Sequence, residues 1–313
     1  VILVAFDGTA VLRRTLAGAP PLSRSDGVVT GSAVSFAFVV SSVMRKYRPT
    51  HALFAFDGPG PSFRKLLDSR YKGNREKAEF TDEQLLQMKM MRDFASSVGR
   101  CVDSAPYEAD DVLASCANQF DGRVVVVAAD KDAHQLVSKR VSVHDWTRDK
   151  GTLVDEAYVL EKWKVPAHLV ADVQALAGDG VDGVGGVRGV GVKTAAALVK
   201  RLGCLEAVAA DAASFERKSS MGAVQQADAA IRSAKLVRLC GEVPLPDVDD
   251  LRVRGSWVRD CASIAKALEA DRLVANLSTN FRTSMRDLRP DPRWSTGTRK
   301  EEKSAKKLFG ARA

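Results

Sequence analysis

Four apolar runs mark the first half of the chain: "VILVAFD" (1–7), "HALFAFD" (51–57), "RVVVVAADKD" (123–132) and "RVSVHDW" (140–146). The first three are continuous, without the alternation of a strand that faces water on one side. A strand apolar at successive positions is covered on both faces, as in a parallel sheet between helical layers. Between the runs, apolar residues recur at helical spacing over 31–47, 80–98 and 108–120. Strand alternating with helix predicts an α/β unit with a mostly parallel central sheet flanked by helices.

Past residue 155 the pattern turns helical. "EAYVLEKWKVPAHLVADVQALAGDGVDG" (156–183) reads as helix and brings Asp179 and Asp182 to a helix end. The glycine-rich run 185–191 then precedes an apolar helix that stops at Gly203. Another helix is expected over 225–240, an extended segment over 242–253, and a last amphipathic helix over 258–275. The chain thus divides into an α/β unit (1–155), a smaller helical unit (156–257) and a C-terminal helix with a tail (258–313).

Composition narrows the chemistry. Within the 313 residues no apolar run approaches the ~20 residues that span a bilayer, so no membrane partner is expected. The five cysteines (Cys101, Cys116, Cys204, Cys240 and Cys261) are scattered, with no CxxC pair. That fits reduced thiols in an intracellular setting better than a disulfide framework or a zinc site. The four histidines show no metal-binding spacing either. The chain opens inside a strand, so any targeting segment lies out of view, and a mitochondrion or plastid stays open as a location. Of the net charge of +8, the last 33 residues hold +6, from ten Lys/Arg against four Asp/Glu. Such a tail reads as a solvated, partly disordered extension that also attracts nucleic acid phosphates.

The segment 60–81, "GPSFRKLLDSRYKGNREKAEFT", is basic, with Phe63, Tyr71 and Phe80 interleaved. A loop of this length inside a compact domain is usually functional. Acids gather elsewhere. Asp7, Asp57, Asp130 and Asp132 close three of the apolar runs, at the carboxyl ends where open α/β sheets place their sites. Glu108, Asp110 and Asp111 crowd into "APYEADDVLASCA" (105–117). Taken alone, that cluster fits a helix start, where acids meet the positive end of the macrodipole, as well as it fits a metal site. With Asp179 and Asp182 there are nine acids that one rim could gather, and these could not stay ionised together without cations. Oxygen ligands without Cys or His point to Mg²⁺, with Mn²⁺ as substitute. Two such ions activate water and stabilise a leaving oxygen in phosphoester cleavage.

The order of motifs resembles the 5′ nuclease domain of bacterial DNA polymerase I and the flap endonuclease superfamily. The resemblance runs from Val1 to about Val253. It rests on "FDG" (6–8), "FDGPGPSFR" (56–64), "RYKGNR" (70–75), "YEADDVLA" (107–114), "AADKDAHQLV" (128–137) and "LAGDGVDGVGGVRGVGVKTA" (176–195). It implies a PIN-like, resolvase-like nuclease core followed by a helical unit with a helix–three-turn–helix element (176–203). It implies that all nine acids bind metal. It makes Tyr71, Lys72 and Arg75 residues of an arch (60–81) that approach the scissile phosphate. It places Arg64, Arg70, Gly186, Arg188, Gly189, Gly191, Lys193 and Thr194 against DNA, with K⁺ held by carbonyls of the glycine-rich turn. The physics of that turn is legible: glycines let amides approach phosphates, and a helix N-terminus favours the anion.

The activity so implied is a 5′→3′ exonuclease and flap endonuclease of replication and repair. It would work as a monomer on 5′ flaps, nicked duplex or RNA–DNA hybrids, in a DNA-containing compartment. Where the family usually carries Asn, after the last metal-binding Asp, this chain has Gly183. No polymerase or proofreading pattern follows, which implies a stand-alone nuclease or one parted from its partner domains. Three alternatives fit less well. A haloacid dehalogenase-type phosphatase would need its nucleophile at Ala5. A catalytically dead DNA-structure binder would have lost acids. A PIN-type ribonuclease would lack the glycine-rich grip.

Overall fold

The computed structural model describes residues 1–74, 79–148, 151–211 and 223–281. Six strands form one sheet in the order β3-β2-β1-β4-β5-β6. They are β1 (Ile2–Asp7), β2 (His51–Phe56), β3 (Arg100–Asp103), β4 (Arg123–Val127), β5 (Val141–Asp145) and β6 (Thr152–Val154). All neighbours pair in parallel except β6, which runs antiparallel to β5. Side chains alternate between two cores, as the period of a strand requires. Leu3, Ala5, Leu53, Ala55, Val124 and Val126 face one layer; Val4, Phe6, Ala52, Phe54, Val125 and Val127 face the other. This two-sided burial explains the continuous apolar runs.

On the second layer lie α1 (Gly8–Gly18), α2 (Gly31–Tyr47) and α4 (Asp82–Val98). The Thr81 hydroxyl caps α4 by accepting the Gln84 N–H, and the Gln84 side chain accepts the Thr81 N–H. α3 (Phe63–Leu67) is a short helix inside the basic segment, and α5 (Ala109–Gln119) packs on the opposite face of the sheet. The helical unit comprises α6 (Glu156–Trp163), α7 (Val170–Ala177), α8 (Val192–Leu202), α9 (Leu205–Ala210) and α10 (Ala223–Val237). α7 packs against both α8 and α10, and its apolar residues extend the first core without a break.

Several expectations change. The segment 60–81 is not a plain loop, because α3 and a turn at 69–74 give its described part defined structure. The last helix is two: α11 (Trp257–Ala267) and α12 (Asp271–Phe281), broken at Glu269, whose φ of 56° no helix continues. Both return to the α/β unit, where Cys261, Ile264, Leu273 and Leu277 join the second core. α1, β3 and β6 had no expectation, being short or weakly patterned. The basic tail expected beyond 281 lies outside the described residues.

Candidate active site

Each acid reaches the carboxyl edge of the sheet through its own strand or helix. Asp7 ends β1 and caps α1, its Oδ1 accepting the Ala10 N–H at 2.8 Å. Asp57 follows β2; its Oδ1 accepts the Ala109 N–H at 3.0 Å, and its own N–H donates to Thr9 Oγ1 at 2.7 Å. Asp130 follows β4 and accepts the Asp132 N–H at 3.1 Å. Asp132 receives the Gln174 side-chain amide from α7. The helical unit thereby fixes an acid of the α/β unit.

Burial drives the electrostatics of this rim. It raises Asp7 to about 7, with the charges of Asp57 and Asp130 adding to the effect. It raises Asp132 to about 7, helped by Asp130 and Asp182. Asp110 lies well above the usual carboxylate range, from burial and from the charges of Asp7 and Asp130. Its Oδ1 is buried and has no hydrogen-bond partner among the described residues. These groups are short of positive charge. A divalent cation with a hard, oxygen-only preference fits both the donor set and the orphaned oxygen.

Among the described residues no three acids stand close enough around one point to hold a metal ion by themselves. They line an open rim, which suits a cation that keeps waters and shares its ligands with a substrate phosphate. Two ammonium groups stand in the rim. Lys72 Nζ donates to Glu108 Oε2 at 3.0 Å, and Lys131 pairs with Asp179 Oδ2 at 2.7 Å. Although burial opposes it, Lys131 and the Val181 N–H hold Asp179 below the ordinary carboxylate range. Burial would lower Lys72, yet Tyr71, Glu108 and Asp110 hold its pKa above the normal value, so it is charged.

The turn that carries Lys72 sits on the loop of the last acids. The Lys72 N–H donates to the Asp182 carbonyl at 2.8 Å, and Asn74 Nδ2 to the Val181 carbonyl at 3.1 Å. Gly183 permits this approach: its φ is +70°, and a Cβ there would lie 2.4 Å from the Arg70 carbonyl oxygen. The departure from Asn belongs to the packing of the turn.

Three of the expected site residues are engaged inside the protein. Asp111 is no metal ligand, being 0% exposed, with Oδ1 accepting from Arg64 and Cys240 N–H and Oδ2 from Arg64 and Glu108 N–H. Arg64, 1% exposed, cannot reach DNA. Tyr71 is buried beneath Lys72, its hydroxyl donating to Glu108 Oε2 at 2.9 Å, so it orients Glu108 in this arrangement.

The other acids, Asp7, Asp57, Glu108, Asp110, Asp130, Asp132, Asp179 and Asp182, border the same edge. Arg70 is exposed and paired with Asp68. Arg75 lies outside the described residues. Arg188, Gly189, Gly191 and Lys193 are exposed around the start of α8, and Thr194 is half-buried. Gly186 instead donates its N–H to Ser233 Oγ and packs on Gly178, where a Cβ would sit 2.3 Å from nitrogen. Sequence reasoning missed Ser62, whose hydroxyl donates to Glu108 Oε1 at 3.0 Å, as well as Thr9, Gln174 and Lys131. Of these only Lys131, between two acids, left a signal.

An acid rim at the carboxyl edge of a parallel sheet, followed by a helical unit, defines the class. Residues 2–164 match the family described as 5'-3' exonuclease, N-terminal resolvase-like domain, and residues 165–259 match 5'-3' exonuclease, C-terminal SAM fold. The chain belongs to the 5'-3' exonuclease family and is a nuclease by that membership. It is 30% identical to a 5'-3' exonuclease of Aquifex aeolicus (strain VF5) over 285 residues, covering 90% of this chain and 96% of that protein. It is 34% identical over 263 residues to DNA polymerase I of Rhizobium leguminosarum, covering 80% of this chain but only 26% of the polymerase. The fold resembles T5 5'-exonuclease bound to divalent metal ions (zinc), with a TM-score of 0.62 at 18% identity, covering 90% of this chain and 99% of that one.

Proposed function

We propose that the chain is a metal-dependent 5′→3′ exonuclease and flap endonuclease. It cleaves DNA phosphodiesters near 5′ ends or flap junctions and leaves 5′-phosphates. The observation that carries this reading is the buried oxygen of Asp110, unpartnered among the described residues, in the field of Asp7, Asp130 and Asp132, with the Lys72 ammonium beside them. Eight acids would hold two Mg²⁺ ions, with Mn²⁺ as a substitute: Asp7, Asp57, Glu108, Asp110, Asp130, Asp132, Asp179 and Asp182. The chemistry such a pair supplies is a lowered pKa for the attacking water and stabilisation of charge on the leaving oxygen. Relatives of the fold support metal use, since T5 D15 flap endonuclease is described in complex with DNA and metal ions.

The chain's own residues do the rest. Lys72 offers a fixed cation to the phosphoryl oxygens as charge builds, and Tyr71 and Ser62 orient Glu108. Arg75 adds a second cation from the same segment. The first amides of α8 lack intrahelical partners, and Gly191, its N-cap, has no side chain to accept from them. Together with Arg188 and Lys193 they grip a duplex phosphate, and a K⁺ ion bound at the glycine-rich turn would add positive charge to that grip. The chain acts as a monomer, and RNA–DNA hybrids are substrates too. Side-by-side cleavage of a 5′-labelled flap, a nicked duplex and an RNA–DNA hybrid, with and without Mg²⁺, tests the reading. Full activity in excess chelator would end it.

A further inference from the structure

One guanidinium joins three stretches of chain that are remote in sequence. Arg64 Nη1 and Nη2 donate to Asp111 Oδ2 and Oδ1, both at 2.7 Å. Its Nε donates to the Leu236 carbonyl at 2.8 Å, and Nη2 also to the Arg238 carbonyl at 2.9 Å. Asp111 in turn accepts the Cys240 N–H at 2.8 Å and the Glu108 N–H at 3.0 Å. A planar fork with this many partners fixes orientation as well as distance, which an ammonium could not do.

The three stretches have different tasks. Arg64 lies on α3, at the root of the segment that carries Tyr71 and Lys72. Asp111 adjoins Asp110 and holds the backbone of Glu108. Residues 236–240 are the exit of α10, which packs on α7. Arg238 continues the connection, pairing with Asp172 on α7 and Glu206 on α9, each at 2.7 Å. α8, whose start we read as the duplex grip, is packed between those two helices.

We propose that Arg64 and Asp111 are a positioning pair that sets the spacing between the helical unit and the acid rim. The pair thereby selects which phosphodiester of a gripped strand reaches Lys72 and the acids. This inference rests on the proposed duplex grip. A purely structural role would make the pair matter for stability and leave the cut position alone.

Two variants test it. Arg64→Lys keeps the charge and loses the fork. Arg64→Met/Asp111→Leu removes both charges together but strips the Leu236 and Arg238 carbonyls and the Glu108 and Cys240 N–H groups of their partners. Arg64→Lys is therefore the decisive variant, and melting is read for both. Each is assayed on a flap labelled at the 5′ end and again at the 3′ end, with single-turnover rates and melting. The expected result is product spread over neighbouring positions and a loss of about 10²-fold in rate at the native position, the scale of a 1 Å misplacement. Calorimetric Mg²⁺ binding without DNA separates spacing from a direct effect on the rim, because Arg64 Nη1 also lies 3.5 Å from Glu108 Oε2. Arg64→Lys, which keeps that charge, should bind Mg²⁺ as the unaltered protein does. A native cut position at normal rate in either folded variant overturns the proposal. Loss of Mg²⁺ binding in Arg64→Lys would overturn it differently, by tracing the lost rate to the acid rim at Glu108 and not to the spacing of the two units. If the unaltered protein cuts no flap at all, the proposed function fails first, and the two failures are thus distinguishable.

Discussion

Replacing Gly183 by Asn puts the residue expected from the family into a place built for glycine. Asn tolerates the left-handed φ of +70° better than most residues, so the backbone angle is a small part of the cost. The Cβ is the larger part, because at 2.4 Å from the Arg70 carbonyl oxygen it overlaps backbone that cannot rotate away. Relief needs the 70–72 turn to move off the loop by roughly 1 Å, the scale on which misplacement costs about 10²-fold in rate. Overpacking of this kind costs about 1–3 kcal/mol, or a fall in Tm of about 1.5–5 °C. The Lys72 N–H to Asp182 bond breaks first, and the ammonium leaves Glu108 with it. Gly180→Asn is the control: it lies in the same loop, and a Cβ there meets nothing within 4 Å. Single-turnover cleavage and melting of both variants decide the matter. If Gly183→Asn matches Gly180→Asn in rate and Tm, the close approach of the turn has no role in placing Lys72.

Three further expectations follow from particular contacts. Lys72→Ala should lower single-turnover cleavage by about 10²–10³-fold with DNA affinity nearly kept; equal losses in both would make Lys72 a binding residue only. Gly191→Val should weaken binding to duplex-containing flaps with Tm unchanged, because a Cβ there meets nothing and the φ of −87° is unstrained; unimpaired flap affinity removes the grip. His144 is 4% exposed, and burial lowers it from its ordinary value to about 4. Its neutral form, bonded to the Tyr47 hydroxyl at 2.9 Å, therefore supports the fold above pH ~6.5 and loses that support as pH falls towards 4. At pH 5 the loss is about 1–2 kcal/mol, measurable as a urea midpoint that His144→Gln makes less sensitive to pH; equal pH dependence in both proteins would refute it.

The sequence by itself marked four of the six strands (β1, β2, β4 and β5), most of the helices and the acids that follow three of those strands. Those features are local: a strand buried on both faces must be apolar throughout, and a site at its carboxyl end needs its acid at the next position. Asp7, Asp57 and Asp130 were legible for that reason. What the tertiary structure decided was the direction of side chains on a helix and the meeting of distant segments. Asp110 and Asp111 are neighbours of the same charge, yet successive residues on a helix point about 100° apart. One therefore faces the rim with an oxygen unpartnered among the described residues, while the other turns inward to Arg64 and Cys240. Gln174 and Ser62 carried no local signal, since each acts only through an acid far along the chain. In the sequence Gly183 stood only as a departure from the family's usual Asn. In the fold it is the space into which the Lys72 turn is set, and only the nearby Arg70 carbonyl, a partner remote in sequence, shows why a side chain has no room there.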